Sequence, residues 1–162
     1  MKVSDISRIV QKLQSQGLTV AFAESCTAGL LASEFVKGKG TGSVLLGSIV
    51  TYNEMVKQTL LGVKKQTISL YTCESQQVTN EMVMGLHKLL KADISVAVTG
   101  LADSGASESE DKPVGTVFFS VYYKGKVDEF REEFDGTTEQ IRKQAVEFIF
   151  QKLEDIHEKH FS

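Results

Sequence analysis

The residues best placed for chemistry are Ser25 and Cys26, in the run Ala23-Glu24-Ser25-Cys26-Thr27-Ala28-Gly29. Thr19 to Ala23 is short, apolar and bounded by Gly17 and this polar cluster, so it reads as a strand, and Thr27 to Phe35 reads as a helix. Ser25 falls at the junction. A side chain there can face a cleft while the main-chain N–H groups of the following turn, at Cys26 and Thr27, point into the same space and favour developing negative charge. Such a setting suits amide hydrolysis, in which a serine hydroxyl needs a base to take its proton and donors for the oxyanion. Serine is also a favoured helix cap, and position alone leaves both roles open for Ser25.

Other chemical signals fail. Ser109-Glu110-Asp111-Lys112 has a serine-x-x-lysine spacing, but it lies in an acidic stretch with no Ser-Asp-Asn or Lys-Thr-Gly elsewhere. His87 has no companion ligands nearby, and His157 and His160 sit in a charged tail, so no metal site is expected. Neither a phosphate-binding Walker motif nor a Gly-x-Ser-x-Gly elbow occurs.

The elements that must position Ser25 follow from periodicity. Ser4 is placed to cap a helix with Ile6, Ile9, Val10 and Leu13 on one side and Gly17 as its stop. A glycine-rich connection, Gly38 to Ser43, leads into Val44 to Tyr52, whose Leu45, Leu46, Ile49 and Val50 suit a buried strand. Asn53 to Leu61 reads as a helix and is followed by a loop. Ser75 then caps a longer helix with Val78, Met82, Leu86, Leu89 and Leu90 on one side. Ile94 to Thr99 is a third strand, Gly100 to Pro113 a long acidic loop, and Val114 to Phe134 a hairpin turning at Lys124-Gly125-Lys126. A last helix runs from about Glu139 past Leu153. Strands mixed with helices, plus one hairpin, imply a mixed sheet covered on both faces in a single domain.

Composition agrees. The chain has 162 residues, 41% of them hydrophobic, which is enough for one core. A net charge of -3 argues against a nucleic-acid partner. No apolar run approaches the ~20 residues of a membrane helix, and the first ten residues have no signal-peptide core, so a soluble cytoplasmic protein is expected. Two cysteines, Cys26 and Cys73, make no disulfide framework.

The run Ala23 to Gly29, with Thr51-Tyr52-Asn53-Glu54-Met55-Val56-Lys57, Val98-Thr99-Gly100 and Lys112-Pro113-Val114-Gly115-Thr116-Val117, resembles the CinA C-terminal family in order and spacing. The resemblance spans roughly Val20 to Ala145. It implies a three-layer α/β/α sandwich with a mixed β-sheet, and hydrolysis of nicotinamide mononucleotide to nicotinate mononucleotide and ammonia without metal or cofactor. It also implies a homodimer or higher homo-oligomer, and the chain looks like a form lacking the molybdopterin-binding-like domain that precedes this one in many members.

By the same resemblance Ser25 is the nucleophile, Lys57 the base and Tyr52 an accompanying site tyrosine. Lysine can be a base only if burial or a nearby cation depresses its pKa from a reference near ~10.4; otherwise Lys57 is a solvated helix lysine and Tyr52 a sheet-edge aromatic. The implied substrate is a pyridine nucleotide, whose phosphate needs N–H donors or a cation. Gly42 and Ser43 in one turn, Thr99 and Gly100 in another, and Lys112 are candidates. The chain departs from the family at Ala28, where a second glycine is common, and at Thr72-Cys73-Glu74-Ser75, where the family has Gly-Ala-Val-Ser. It departs again after Gly100, where Leu101, Ala102 and Asp103 open an acidic loop, and at Gly136-Thr137-Thr138, where a Gly-Asp-Arg arginine is missing and Arg142 is the substitute one turn on. Two other functions fit these residues: a catalytically degenerate binding module, and an amidohydrolase for a different, non-phosphorylated amide.

Overall fold

A computed structural model describes residues 1–161, with side chains through Ile156; those of His157 and His160 fall outside the described residues. Helix α1 (Val3–Ser15) precedes strand β1 (Val20–Glu24), helix α2 (Leu30–Phe35), a 3-10 turn at Thr41–Ser43, and strand β2 (Leu45–Val50). Helices α3 (Glu54–Leu61), α4 (Lys65–Tyr71) and α5 (Gln76–Leu90) lead to β3 (Ile94–Gly100), β4 (Thr116–Tyr123), β5 (Lys126–Glu133) and α6 (Thr138–Phe161). The strands form one mixed sheet in the order β2-β1-β3-β4-β5, parallel at β2-β1 and β1-β3 and antiparallel at β3-β4 and β4-β5.

Period-two alternation sorts the side chains onto two buried faces. Val20 and Phe22 of β1 and Ile94, Val96 and Val98 of β3 pack with α1, α2 and α6. Ala21, Ala23 and Ala97 face the other way, toward Val78, Met82, Val83 and Leu86 of α5 and Leu61 of α3. The result is the three-layer α/β/α sandwich implied by the sequence. Among the described residues no helix is long and apolar enough to cross a membrane.

Several boundaries differ from the sequence reading, each for a local reason. Lys2, not Ser4, caps α1, and the Asp5 carboxylate accepts from the Lys2 N–H at 3.2 Å. The stop at Gly17 is as expected, with φ +66° and the Leu18 N–H returning to Leu13 O. Strand β2 is half-exposed rather than buried, because it is an edge strand: Leu46 and Val50 are 49% and 43% exposed. The segment after Leu61 contains α4, whose Ile68 joins the core while Thr67 Oγ1 donates to Glu81. Ser75 does cap α5, accepting from Val78 N–H at 3.3 Å, but Leu89 points to solvent. The hairpin closes through the two-residue turn Lys124-Gly125, both with positive φ, which matches the right-handed twist of its strands.

Close approach of α3 to α5 is what brings Lys57 in from the edge of the sheet. It is possible because position 85 is glycine: a Cβ there would lie 1.9 Å from Leu61 O. Gly85→Ala therefore forces the helices apart and is expected to cost about 2 kcal/mol of unfolding free energy, read from urea melts; an unchanged midpoint would refute this account of the α3–α5 contact.

Candidate active site

The connection after β1 runs through α2 on one face, and the connection after β2 runs through α3, α4 and α5 on the other. Diverging connections leave a crevice at the carboxyl ends of β1 and β3, the usual ligand position in such sheets. Ser25 is the first residue beyond β1, and its N–H donates to Val98 O at 3.0 Å, so the β1–β3 ladder fixes the serine backbone. Thr51, the first residue beyond β2, is fixed in the same way by its N–H on Glu24 O at 2.8 Å.

Helix α3 starts immediately after this point. The Asn53 side chain caps it by accepting from Met55 N–H at 2.8 Å, and one turn later Lys57 turns inward. Lys57 is 1% exposed, and its Nζ lies 3.0 Å from Ser25 Oγ, 2.6 Å from Thr51 O and 3.4 Å from Tyr52 O. All three partners are neutral oxygens. Burial, with no bonded carboxylate to offset it, lowers the lysine pKa from its ordinary value.

Beside Ser25 the Cys26 thiol is buried, which pushes its pKa up to about 12 and keeps it protonated. The protonated sulfur is therefore a poor nucleophile. Among the described residues no carbonyl or carboxylate accepts from the N–H groups of Cys26 or Thr27; the Cys26 N–H lies against its own thiol, and both adjoin Ser25.

A cleft of about 260 Å³ opens here, lined by Ser25, Cys26 and Tyr52, by Glu74, by Gly100 to Ala106 and by Arg142. Arg142 reaches in from α6 and donates through Nε to Cys26 O at 2.8 Å. Gly100 forms part of the wall because no side chain fits: a Cβ would lie 2.6 Å from Thr116 O. Tyr52 is 66% exposed, and it meets Lys57 through its carbonyl rather than its phenol. A cavity of about 290 Å³ beside α1, α2 and α6 is slightly larger, but its lining, rich in Glu34, Lys37, Lys143 and Glu147, holds no hydroxyl or thiol nucleophile.

Four expected ligand contacts are placed differently. Gly42 and Ser43 lie before β2, at the end of the sheet opposite Ser25, where Ser43 Oγ accepts from Gln14. Lys112 does not line the cleft; its ammonium donates to Thr72 Oγ1, Glu74 O and Ser107 Oγ at 2.8–2.9 Å and pins the acidic loop. Thr99 is buried, with its hydroxyl toward Cys73 O at 3.5 Å.

Glu24 was overlooked by the sequence reading. Fully buried at the end of β1, it accepts from Thr27 Oγ1, from Gly29, Leu31 and Ala32 N–H, and from Ser48 Oγ, at 2.7–3.2 Å. The carboxylate thus takes the cap position of α2 that had been open to Ser25, and α2 starts at Leu30 rather than Thr27. The turn it holds contains Ala28 at φ +49° and Gly29 at φ +95°. Its sequence signal was a carboxylate directly before a Ser-x-Thr-x-Gly turn.

The fold is an α/β sandwich that sets a buried lysine against a serine at the carboxyl end of its sheet. The sequence model of the CinA C-terminal domain matches residues 4–157, and the chain belongs to that family. A CinA-like protein of Petrotoga mobilis is 38% identical over 149 residues, 92% of this chain and 37% of that protein. One from Thermotoga neapolitana is 38% identical over 146 residues, 90% of this chain and 35% of that protein, so the chain spans about a third of the curated relatives it matches. Among solved structures, a CinA superfamily protein from Klebsiella pneumoniae superposes with TM-score 0.90 at 29% identity, over 97% of this chain and 98% of that one. A competence/damage inducible protein from Agrobacterium tumefaciens gives TM-score 0.88 at 31% identity, over 94% and 93%.

Glu24→Gln replaces an acceptor oxygen with a donor facing N–H and O–H groups. It is expected to lower stability by about 2 kcal/mol, measured by denaturant melts, and unaltered stability would show that the turn holds itself.

Proposed function

We propose that this chain is an amide hydrolase that converts nicotinamide mononucleotide to nicotinate mononucleotide and ammonia through Ser25 and Lys57. The observation that carries the reading is the 3.0 Å approach of a buried lysine Nζ to the serine Oγ, with two main-chain carbonyls as its other partners. A neutral lysine amine has two N–H bonds and one lone pair. Thr51 O and Tyr52 O take the two N–H groups, which turns the lone pair toward the Ser25 hydroxyl. Membership of the CinA C-terminal family and a cleft of about 260 Å³ beside Ser25 support this choice of substrate.

Ser25 Oγ attacks the carboxamide carbon while its proton passes to Lys57, and the N–H groups of Cys26 and Thr27 receive the negative charge that develops on oxygen. As the tetrahedral adduct collapses, the C–N bond breaks and the Lys57 proton leaves with ammonia. Water then attacks the acyl-Ser25 ester, giving its proton to Lys57, and as the C–O bond to serine breaks Lys57 passes that proton to the Ser25 oxygen, restoring both groups. Tyr52 walls the cleft and Arg142 supplies a cation for the anionic end of the substrate.

Ser25→Ala and Lys57→Met are each expected to reduce ammonia release from nicotinamide mononucleotide by at least about 10³-fold while the circular dichroism spectrum is kept. Activity surviving in folded Ser25→Ala would end the proposal. The pH dependence has a defined sign. Only neutral Lys57 accepts the serine proton, so kcat/KM rises with pH and levels off above a midpoint lower than that of an ordinary lysine. Between that midpoint and the ordinary lysine value the unfolded chain binds more protons, so Lys57 makes stability rise with pH across the window. Lys57→Met removes both slopes; a profile without a lysine-dependent limb would refute the base assignment.

A further inference from the structure

Glu74 brings a carboxylate to the wall of the cleft beside Ser25. It is half-buried and directly precedes Ser75, the residue that caps α5. Among the described residues its carboxylate has one hydrogen-bonding partner, the Ser107 hydroxyl, which donates to Oε2, and no lysine, arginine or N-terminal amine forms an ion pair with it. Lys112 reaches the same residue but donates to its main-chain oxygen, at 2.9 Å. Two ties therefore hold Glu74, one at the end of the side chain and one at the backbone. A fixed charge that has lost part of its water and gained no counter-ion attracts a cation into the space it faces. The other carboxylate of the cleft wall, Asp103, is exposed and accepts from the Ser104 N–H at 2.8 Å, so water weakens its field.

The charges of the cleft stand on opposite sides of the serine. Helix α5 packs on the face of the sheet that carries Ala21 and Ala97, whereas α6, which supplies Arg142, packs on the face that carries Val20 and Phe22. Ser25 follows β1 between those faces, so the Glu74 carboxylate and the Arg142 guanidinium enter from either side of it. The negative pole lies toward Lys57: burial lowers the Lys57 pKa, and Glu74 is among the charges that oppose the lowering.

We propose that Glu74 determines specificity for the charge of the substrate's ring: its carboxylate draws a cationic pyridinium to the α5 side of Ser25 while Arg142 takes the anionic end, so an uncharged ring of similar shape binds less well. The choice of ligand rests on the amidase reading. In nicotinamide mononucleotide the quaternary ring nitrogen stands close to the carbon that bears the carboxamide, and placing that amide on Ser25 carries the positive charge into the field of Glu74.

The test is calorimetric titration of nicotinamide mononucleotide, and of its reduced form, into the Ser25→Ala protein, which prevents turnover, alone and combined with Glu74→Gln, Glu74→Asp or Glu110→Gln. The reduced ligand keeps the phosphate but has an uncharged dihydropyridine ring, and the quantity read is the ratio of the two dissociation constants. A general loosening of the cleft cancels in that ratio. Glu74→Gln keeps an acceptor for Ser107 and is expected to lower the preference for the charged ring about fivefold, chiefly by weakening the oxidised ligand; Glu74→Asp keeps the charge and is expected to lower it by less than about twofold. Glu110→Gln removes the same charge from an exposed residue outside the cleft wall and is expected to leave the ratio within about twofold. The proposal is overturned if Glu74→Gln leaves the ratio unchanged, if Glu74→Asp or Glu110→Gln lowers it as far, or if the mononucleotide binds to none of the forms. A preference that depends on Glu74 in a protein that releases no ammonia with Ser25 present supports this inference and rejects the amidase reading. Ammonia release with a ratio that Glu74→Gln does not move keeps the amidase reading and rejects this inference.

Discussion

Five hydrogen bonds converge on the buried carboxylate of Glu24, and the site is arranged around them. A charge removed from water is stable only when its oxygens are satisfied, and here the donors come from the turn after β1, from the first turn of α2 and from Ser48 of β2. Each donor is also a constraint on shape. The turn must tighten into the left-handed geometry of Ala28 and Gly29, α2 must begin late, and β2 must lie in register beside β1. With these fixed, Ser25 has one position, between the Val98 carbonyl that holds its N–H and the lysine that meets its hydroxyl.

The two members of the pair are held by unlike means. Ser25 is placed by strand pairing and a capped turn, whereas Lys57 is placed by packing of α3 on α5 and then desolvated by the same packing. Burial both aims the amine and removes the stabilisation of its charged form. A lysine at the same helix position but facing solvent would keep its proton near neutrality, so the chemistry proposed for Ser25 depends on an apolar contact several residues away.

Much of the fold was legible in the sequence, because β1, β3 and the β4–β5 hairpin have strong apolar patterns and turn signals that local physics reads directly. The status of β2 was not, since an apolar run does not say whether a strand is central or at the edge, and that depends on sheet order. Helix α4 was missed because seven residues contribute one core side chain, Ile68, which is too little to set a period. Ser25, Cys26, Arg142 and Gly100 do gather at one cleft, with Lys57 behind Ser25. Gly42 and Ser43 do not, because a glycine-rich turn carries no information about which end of the sheet it occupies. Glu24 escaped notice because acidic residues are usually solvated, and only burial reveals its donors. Two positions where the chain departs from the family's glycines, Ala28 and Thr72, have positive φ, so the backbone keeps a glycine-like path with residues that resist it.

The parallel pairing of β1 with β3 also sets when the site comes into being. The hairpin of β4 and β5 joins neighbouring stretches across a two-residue turn, so it closes with little loss of chain entropy. Val20 meets Ile94, and Ser25 meets Val98, only after α2, β2, α3, α4 and α5 have been threaded between them. Contacts so distant along the chain carry the larger entropy cost of loop closure. Ser25 is therefore oriented only when the two distant halves of the chain have met, and a chain that holds its hairpin alone has the serine without Lys57 beside it.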